Sequence, residues 1–268
     1  MNSPAPGTKQ AVDWLDQPIA CAGCPDDVKP EGRCELMKAC VRDRSVQRIA
    51  QFFSWNPAVA NDYLKHPYFE VRACAARHAD VFHLRTLVND PDETVRWAAV
   101  MRLPRSFLLR LIHDPHREVR IRVASRLSEQ DLGVMIDDPD YYVRLMVAKH
   151  LPEHKLPLMI ADEDPEVRRT VARRIPREWL GRMLLDSDPV VRMEVVRRLP
   201  DSALLSLVRD ADWRIRYEVA ARGNREILQL LVDDPDSEVR RHARERLDES
   251  GPVHMIDFMG RNGNGHES

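Results

Sequence analysis

The sequence predicts an all-α solenoid, and three observations predict it. A valine–arginine pair recurs every 24 residues: Val71-Arg72, Val95-Arg96, Val119-Arg120, Val143-Arg144, Val167-Arg168, Val191-Arg192, Ile215-Arg216 and Val239-Arg240. A strict period of this kind marks an architecture in which each unit buries its apolar face only against its neighbours. Second, each pair opens an apolar stripe at helical spacing. Val95, Ala99, Val100 and Leu103 fall at i, i+4, i+5 and i+8. Third, prolines at Pro104, Pro152, Pro176 and Pro200 interrupt the second half of the repeat, and no period-2 alternation is present. Proline removes a ladder donor, so these segments are not strands.

One repeat, Asp90 to His113, shows the local logic. Asp90 reads as the N-cap, Pro91 as the first helical residue and Glu93 as the capping-box partner. Pro104 ends this helix, because the residue before proline is pushed out of the α region. Nine residues, Arg105 to His113, remain before the next Asp-Pro. A stretch so short is a 3₁₀ helix or a single α turn. Asp164-Pro165 and Asp188-Pro189 stand two residues nearer their valines than Asp90-Pro91 does, so the turn is expected to absorb length.

The chain divides accordingly. Residues 1–15 are expected to be a flexible lead, 16–41 a four-cysteine domain and 42–65 a degenerate capping repeat. Residues 66–247 form eight regular repeats, and 248–268 a flexible tail. In the degenerate repeat Val46, Ile49, Ala50 and Phe53 keep helical spacing without a Val-Arg pair. In the tail, Val253 to Phe258 is an apolar stretch suited to covering the last repeat.

The eight register arginines, Arg72, Arg96, Arg120, Arg144, Arg168, Arg192, Arg216 and Arg240, need a role. At about 100° per residue, Arg96 lies inside the apolar arc spanned by Val95, Ala99, Leu103 and Val100. A guanidinium there is partly buried between repeats and needs an anionic or carbonyl partner. Asp90, Asp114, Asp138, Asp164, Asp188, Asp210 and Asp234 supply a matching acidic column. The planar arginine fork suits bidentate pairing with them. These arginines are therefore read as structural struts. A second basic column, His78, Arg102, Arg126, His150, Arg174, Arg198, Arg222 and Arg246, falls at the edge of the arc. It is expected to be more exposed, and Arg102, Arg126, Arg174, Arg198 and Arg222 are its candidate partner-binding residues. The column Trp97, Ile121, Leu145, Met193 and Tyr217 reads as inter-repeat core.

Cys21, Cys24, Cys34 and Cys40 form C-x2-C-x9-C-x5-C. Four thiolates within twenty residues suit tetrahedral zinc or an iron–sulfur cluster. The wide Cys34–Cys40 gap is unlike the second tight pair of zinc ribbons, and Pro25 directly follows Cys24, so the spacing leans toward a cubane. Zinc stays open. Lys29, Arg33, Lys38, Arg42 and Arg44 would offset the charge of a four-thiolate site. Cys74, outside the main apolar arc, reads as an ordinary thiol.

The composition bounds function further. The formal net charge is −2, and the array from His66 to Leu247 holds 32 Lys+Arg against 31 Asp+Glu. A generic polyanion binder would show a basic excess, so nucleic acid is not the expected partner. No apolar run reaches the roughly 20 residues that span a bilayer. Bunched cysteines fit metal ligation in a reducing compartment, and the protein reads as cytoplasmic. Only Gly133, Gly181 and Gly223 occur in the array, so no phosphate-cradling loop is available; H-E-x-x-H and G-x-S-x-G are absent. Neither an enzyme nor a small-molecule substrate is expected.

These features resemble one family. The V-R-x-x-V-A-x-R-L-P helix, the short L-x-x-L-I segment, the Asp-Pro turn and the N-terminal cysteines look like the leucine-rich repeat variant proteins that carry an iron–sulfur domain, over about residues 20–247. The resemblance implies a right-handed superhelix of alternating α and 3₁₀ helices without sheet. It also implies a [4Fe-4S] cluster on Cys21, Cys24, Cys34 and Cys40, and a setting in nitrogen-fixing bacteria. Asp210-Ala211 and Gly223-Asn224 depart from the pattern and put the seventh repeat's regularity in question. The expected function is a non-enzymatic scaffold that docks another protein, its cluster a structural cap or redox-responsive element. An electron carrier is the alternative, and nucleic-acid binding through the outer basic column a more distant one.

Overall fold

The computed structural model describes residues 10–26, 28 and 33–249. Among them there is no strand, only two isolated bridges, Val12 with Pro18 and Glu35 with Ala39. The expectations for residues 1–9, for Lys29 and for the segment 250–268, including its Val253–Phe258 stretch, lie outside the described residues. The chain forms two compact units, Met1–Lys155 and Leu156–Ser268.

The first unit carries the cysteine segment, the degenerate repeat and the first regular repeats. Its main helices are Val46–Trp55, Phe69–Ala76, Glu93–Val100, Arg117–Ala124 and Tyr141–His150. Short segments alternate with them: 3₁₀ turns at Pro57–Tyr63, Arg85–Asn89 and Leu132–Met135, and single α turns at Val81–Leu84 and Arg105–Leu108. Both forms foreseen for the short half-repeat therefore occur. Val71, Val95, Val119 and Val143, the leading valines, are fully buried, as are Ala75, Ala99, Val123 and Val147 one turn later. Each repeat seals the next through these two columns.

The second unit repeats the scheme with Pro165–Arg174, Pro189–Arg198, Trp213–Arg222 and Ser237–Glu249. Between them stand 3₁₀ segments Arg177–Met183 and Asp201–Leu207 and the α-helical Arg225–Leu231. The last main helix runs two residues past the boundary expected at 247.

The turns correct one expectation. The helix of Glu93–Val100 is capped by Asp92, which accepts from the Thr94 N–H at 2.9 Å, and not by Asp90. Asp140, Asp164, Asp188 and Asp212 cap their helices in the same way. The turns thus hold two acidic columns two residues apart, and no length is absorbed. What moves is the proline, which follows the first aspartate in Asp90-Pro91 and the second in Asp164-Pro165, where it takes the first helical position.

The first column is the one that meets the arginines. Arg72 grips Asp90 with both edges of its fork, at 2.7 and 2.8 Å. Arg96 does the same with Asp114, and Arg120 with Asp138 at 2.8 and 3.1 Å. In the second unit the pairs are Arg168 with Asp186, Arg192 with Asp210 and Arg216 with Asp234. Asp164 and Asp188 are therefore helix caps, not strut partners. The remaining guanidinium nitrogen donates to carbonyls of the arginine's own turn, as Arg96 does to Asp90 and Pro91. Arg144 and Arg240 make the same bond to the carbonyls of Asp138 and Asp234. Each of the six paired forks ties its own turn to the next one. Burial works against the Asp234 carboxylate, but the Arg216 fork outweighs it and holds the pKa below the usual range.

The seventh repeat keeps its register despite its two departures. Asp210 receives the Arg192 fork without a following proline. Asn224 replaces the usual proline as an N-cap, its side chain accepting from the Ile227 N–H at 3.1 Å. Gly223 stands where the previous repeat has Leu199, and Ile227 where it has Ala203. The isoleucine fills the space a larger residue at 223 would take. A Cβ on Gly223 would lie 2.5 Å from Ile227 Cγ2 and 2.8 Å from the Val219 carbonyl oxygen. Gly223→Ala is therefore expected to cost about 1–3 kcal/mol through overpacking. Urea unfolding should show the loss, and in a double-mutant cycle with Ile227→Ala the two costs should be less than additive. A neutral Gly223→Ala would refute this packing.

Candidate metal centre

The cysteine segment is tied down at both sides. Ala11 and Asp13 are buried, and Asp13 Oδ1 accepts from the N–H groups of Leu15 and Gln17, both at 2.9 Å. Trp14 stacks on Tyr68 with ring centroids 5.6 Å apart and meets His66 edge-on at 4.8 Å. The lead expected to be flexible through residue 15 is thus packed from Ala11 onward, against the first regular repeat.

The degenerate repeat holds the start of the strut system. Arg48 lies 24 residues before Arg72, in register, although Gln47 replaces the valine. The strut position 18 residues further on is His66 instead of aspartate. His66 Nδ1 accepts from the Tyr68 N–H at 3.1 Å, the bond Asp90 makes to Asp92. It offers no carboxylate, so Arg48 turns to the fully buried Asp43 at 2.9 Å. Burial lowers the His66 pKa, which keeps its ring neutral and able to accept.

Cys21, Cys24, Cys34 and Cys40 all line one small cavity, walled by Ile19, Leu36, Val41 and Phe52. Cys21 and Cys24 share a turn closed by the Cys24 N–H to the Cys21 carbonyl at 3.2 Å. Gly23 has φ of 69° there, a left-handed conformation that glycine adopts without steric cost. Cys40 follows a tight loop in which the Ala39 N–H returns to the Glu35 carbonyl at 2.8 Å, with Met37 at φ 65°. Cys34 follows Arg33, whose backbone N–H and carbonyl are both bonded by the buried Asn56 side chain. Sequence reading missed Asn56, since a single asparagine beyond a helix carries no signal of a partner 23 residues earlier.

Cys21 is exposed, and Cys24, Cys34 and Cys40 are half-buried. Burial pushes the Cys40 thiol up from its ordinary value. Among the described residues no three metal-ligating side chains are already drawn around a single point. Four soft sulfur donors on one largely apolar cavity are nonetheless the donor set that iron–sulfur clusters and structural zinc take. Of the cations named from the sequence, Arg42 lines the cavity, 3.9 Å from Asp26. Arg33 and Lys38 instead lie over the Trp55 ring, and Arg44 pairs with Asp16 at 2.7 Å. Cys74 does not line the cavity. It is buried against the Val46–Trp55 helix, not peripheral, and burial raises its thiol to about 11.

The outer basic column is also corrected. Arg102 donates to the carbonyls of Ala76 and Ala79, at 3.3 and 2.5 Å, and Arg126 to Val100 at 2.5 Å. In the second unit Arg198 bonds Ala172 and Ile175, Arg222 bonds Val196 and Leu199, and Arg246 bonds Ala220 and Gly223. Arg174 is half-buried as well. Arg102, Arg126, Arg198, Arg222 and Arg246 close carbonyls at the C-terminal end of the preceding repeat's helix, which the helix itself leaves without partners. They do not form the free basic stripe expected of partner-binding residues. The Trp97 column is half-buried throughout; Arg122 lies over Trp97 at 4.5 Å, and Tyr217 stacks on His242 of the next repeat at 4.6 Å.

Fold and site together define a helical repeat protein with a four-cysteine domain at its N-terminal side. Residues 11–62 match the family described as LRV protein FeS4 cluster, and residues 165–188 match the leucine rich repeat variant. A solved structure described as a leucine-rich repeat variant with a novel repetitive protein structural motif is 41% identical, with a TM-score of 0.79. That match covers 85% of this chain and 98% of the other. An uncharacterized 27.7 kDa protein in the nifB 3′ region of Rhodobacter capsulatus is 44% identical over 100 residues, 37% of this chain and 41% of that protein's length. The chain belongs to the leucine-rich repeat variant family, with an N-terminal iron–sulfur domain. Among the described residues no helix is long and apolar enough to cross a membrane.

Proposed function

We propose that this protein is a cytoplasmic, non-enzymatic scaffold that docks another protein, and that Cys21, Cys24, Cys34 and Cys40 hold a [4Fe-4S] cluster. The carrying observation is the convergence of all four cysteines on one cavity within the segment matching the iron–sulfur family. When bound, the cluster supplies a rigid four-point cross-link and a one-electron redox centre. The chain's own residues would set its surroundings: Ile19, Leu36, Val41 and Phe52 would shield it from water on one side, and Arg42, paired with Asp26, would stand beside it. Trp14, His66 and Tyr68 join this domain to the first regular repeat, so a change at the cysteines has a route to the array.

A non-enzymatic reading is supported by the array chemistry. Its register arginines and aspartates are engaged with each other or with carbonyls. The same engagement withdraws support from phosphate binding by the outer column. The nifB-region location in the relative's name supports a link to nitrogen-fixation metabolism. An electron carrier is the second reading, favoured by the exposed Cys21 at the cavity edge, which would bring the cluster near a docked redox partner.

The test is an anaerobic pull-down with the reconstituted full chain, repeated after oxidation of the cluster. Partner affinity is expected to change with oxidation state. Unchanged binding would reduce the cluster to a cap, and reversible reduction with electron transfer to the captured partner would favour the carrier.

A further inference from the structure

We propose that Asn56 is a positioning residue that sets Cys34 at the metal centre. The proposal rests on the reading of the cysteine cavity given above. Asn56 is 6% exposed and lies just beyond the Val46–Trp55 helix. Its Oδ1 accepts from the Arg33 N–H at 2.8 Å, while its Nδ2 donates to the Arg33 carbonyl at 2.7 Å and to the Phe52 carbonyl at 2.8 Å. Only this orientation of the amide satisfies all three bonds, because two of the partners accept and one donates. The two Arg33 groups belong to the peptide planes on either side of its Cα. The second of those planes is the one that carries Cys34. Fixing both planes fixes the direction in which the chain enters Cys34.

The anchor is itself tied to the cavity. Phe52, whose carbonyl takes the third bond, also lines the cavity. The Arg33 guanidinium lies over Trp55 at 4.7 Å, so Arg33 is held by backbone and side chain at the same helix end. Cys21 and Cys24 are placed by their own glycine turn, and Cys40 by the Glu35–Ala39 loop. Cys34 comes instead from a stretch whose conformation is dictated 23 residues away. Outer partners that orient ligands typically change metal affinity by about 10–100-fold when removed.

The test uses the full chain under anaerobic conditions, with Asn56→Ala and the milder Asn56→Ser, which retains one polar group in place of the amide. Iron release to a chelator is expected to be roughly 10–100-fold faster in Asn56→Ala and intermediate in Asn56→Ser. Loss of fold is separated by loading the metal-free proteins with Co(II). Its thiolate charge-transfer absorption should fall from a four-sulfur toward a three-sulfur intensity in Asn56→Ala, while helix content by circular dichroism is kept. A four-sulfur band that survives Asn56→Ala and Asn56→Ser overturns the assignment, whatever happens to stability. Wild-type protein that binds Co(II) through four sulfurs but takes up no iron overturns the iron–sulfur reading and leaves the Asn56 comparison standing. A wild-type chain that takes up neither metal overturns both.

Discussion

Arg120→Ala is expected to destabilise the first unit by about 3–5 kcal/mol, the usual cost of removing one partner of a buried ion pair. Arg120 is 9% exposed and Asp138 8% exposed. The substitution takes away both fork bonds to Asp138 and the bonds to the Asp114 and Pro115 carbonyls. Asp138 then stays buried with only the Asp140 N–H to satisfy its charge. The turn carbonyls lose a donor that water reaches poorly. Arg120→Met keeps much of the packed volume but leaves the same carboxylate unpaired, so it should cost slightly less and remain clearly destabilising. Arg122, which is half-buried over Trp97 and outside the strut column, is the control. Its alanine variant should lose no more than about 1 kcal/mol. Hydrogen exchange is the better probe, because repeat arrays open locally. Protection should fall first in the turns around Asp114 and Asp138. An Arg120→Ala protein as stable as the wild type would remove the strut from the account of this fold.

Much of that strut was legible. The period, the apolar columns and the burial of an arginine inside the apolar arc all follow from 24-residue spacing and about 100° per residue. The choice of aspartate was not. Asp162 and Asp164, or Asp186 and Asp188, stand two residues apart, and proline beside the second drew attention to the wrong member. Both are capable acceptors, and only the reach of the fork across one full repeat decides between them. The outer column failed for a related reason. A helical wheel places Arg102 at the edge of its own helix but is blind to the carbonyls of the previous one. Arg48 escaped notice because its valine is gone and His66 replaces its aspartate. The four cysteines were legible as one candidate donor set from their spacing alone, and the structure adds that they line one cavity. Asn56 and Trp14 belong to the part that sequence alone cannot reach, because both act on residues remote in the chain.

Cys24→Ser and Cys40→Ser should each abolish most of the iron bound by anaerobically reconstituted protein, together with its broad visible absorption. Both thiols line the cavity, and a serine oxygen is a harder donor that stays a neutral hydroxyl, whereas iron–sulfur clusters select the soft thiolate. Cys74→Ser should leave iron content unchanged. Its thiol lies outside the cavity, buried against the Val46–Trp55 helix, with a pKa raised to about 11 that keeps it protonated. The second unit supplies an internal standard. Its layers are sealed by their own valine columns and forks, so Ser237–Glu249 and the helices before it should keep their exchange protection in every cysteine variant. The effect on folding should be confined to residues near the cysteine segment, where Trp14, His66 and Tyr68 meet. Iron and sulfide analysis of the wild type then decides the cofactor: about four of each per chain supports the cubane, and one zinc with no sulfide refutes it. A Cys40→Ser protein that keeps its full iron content would show that Cys40 lines the cavity without ligating the cluster.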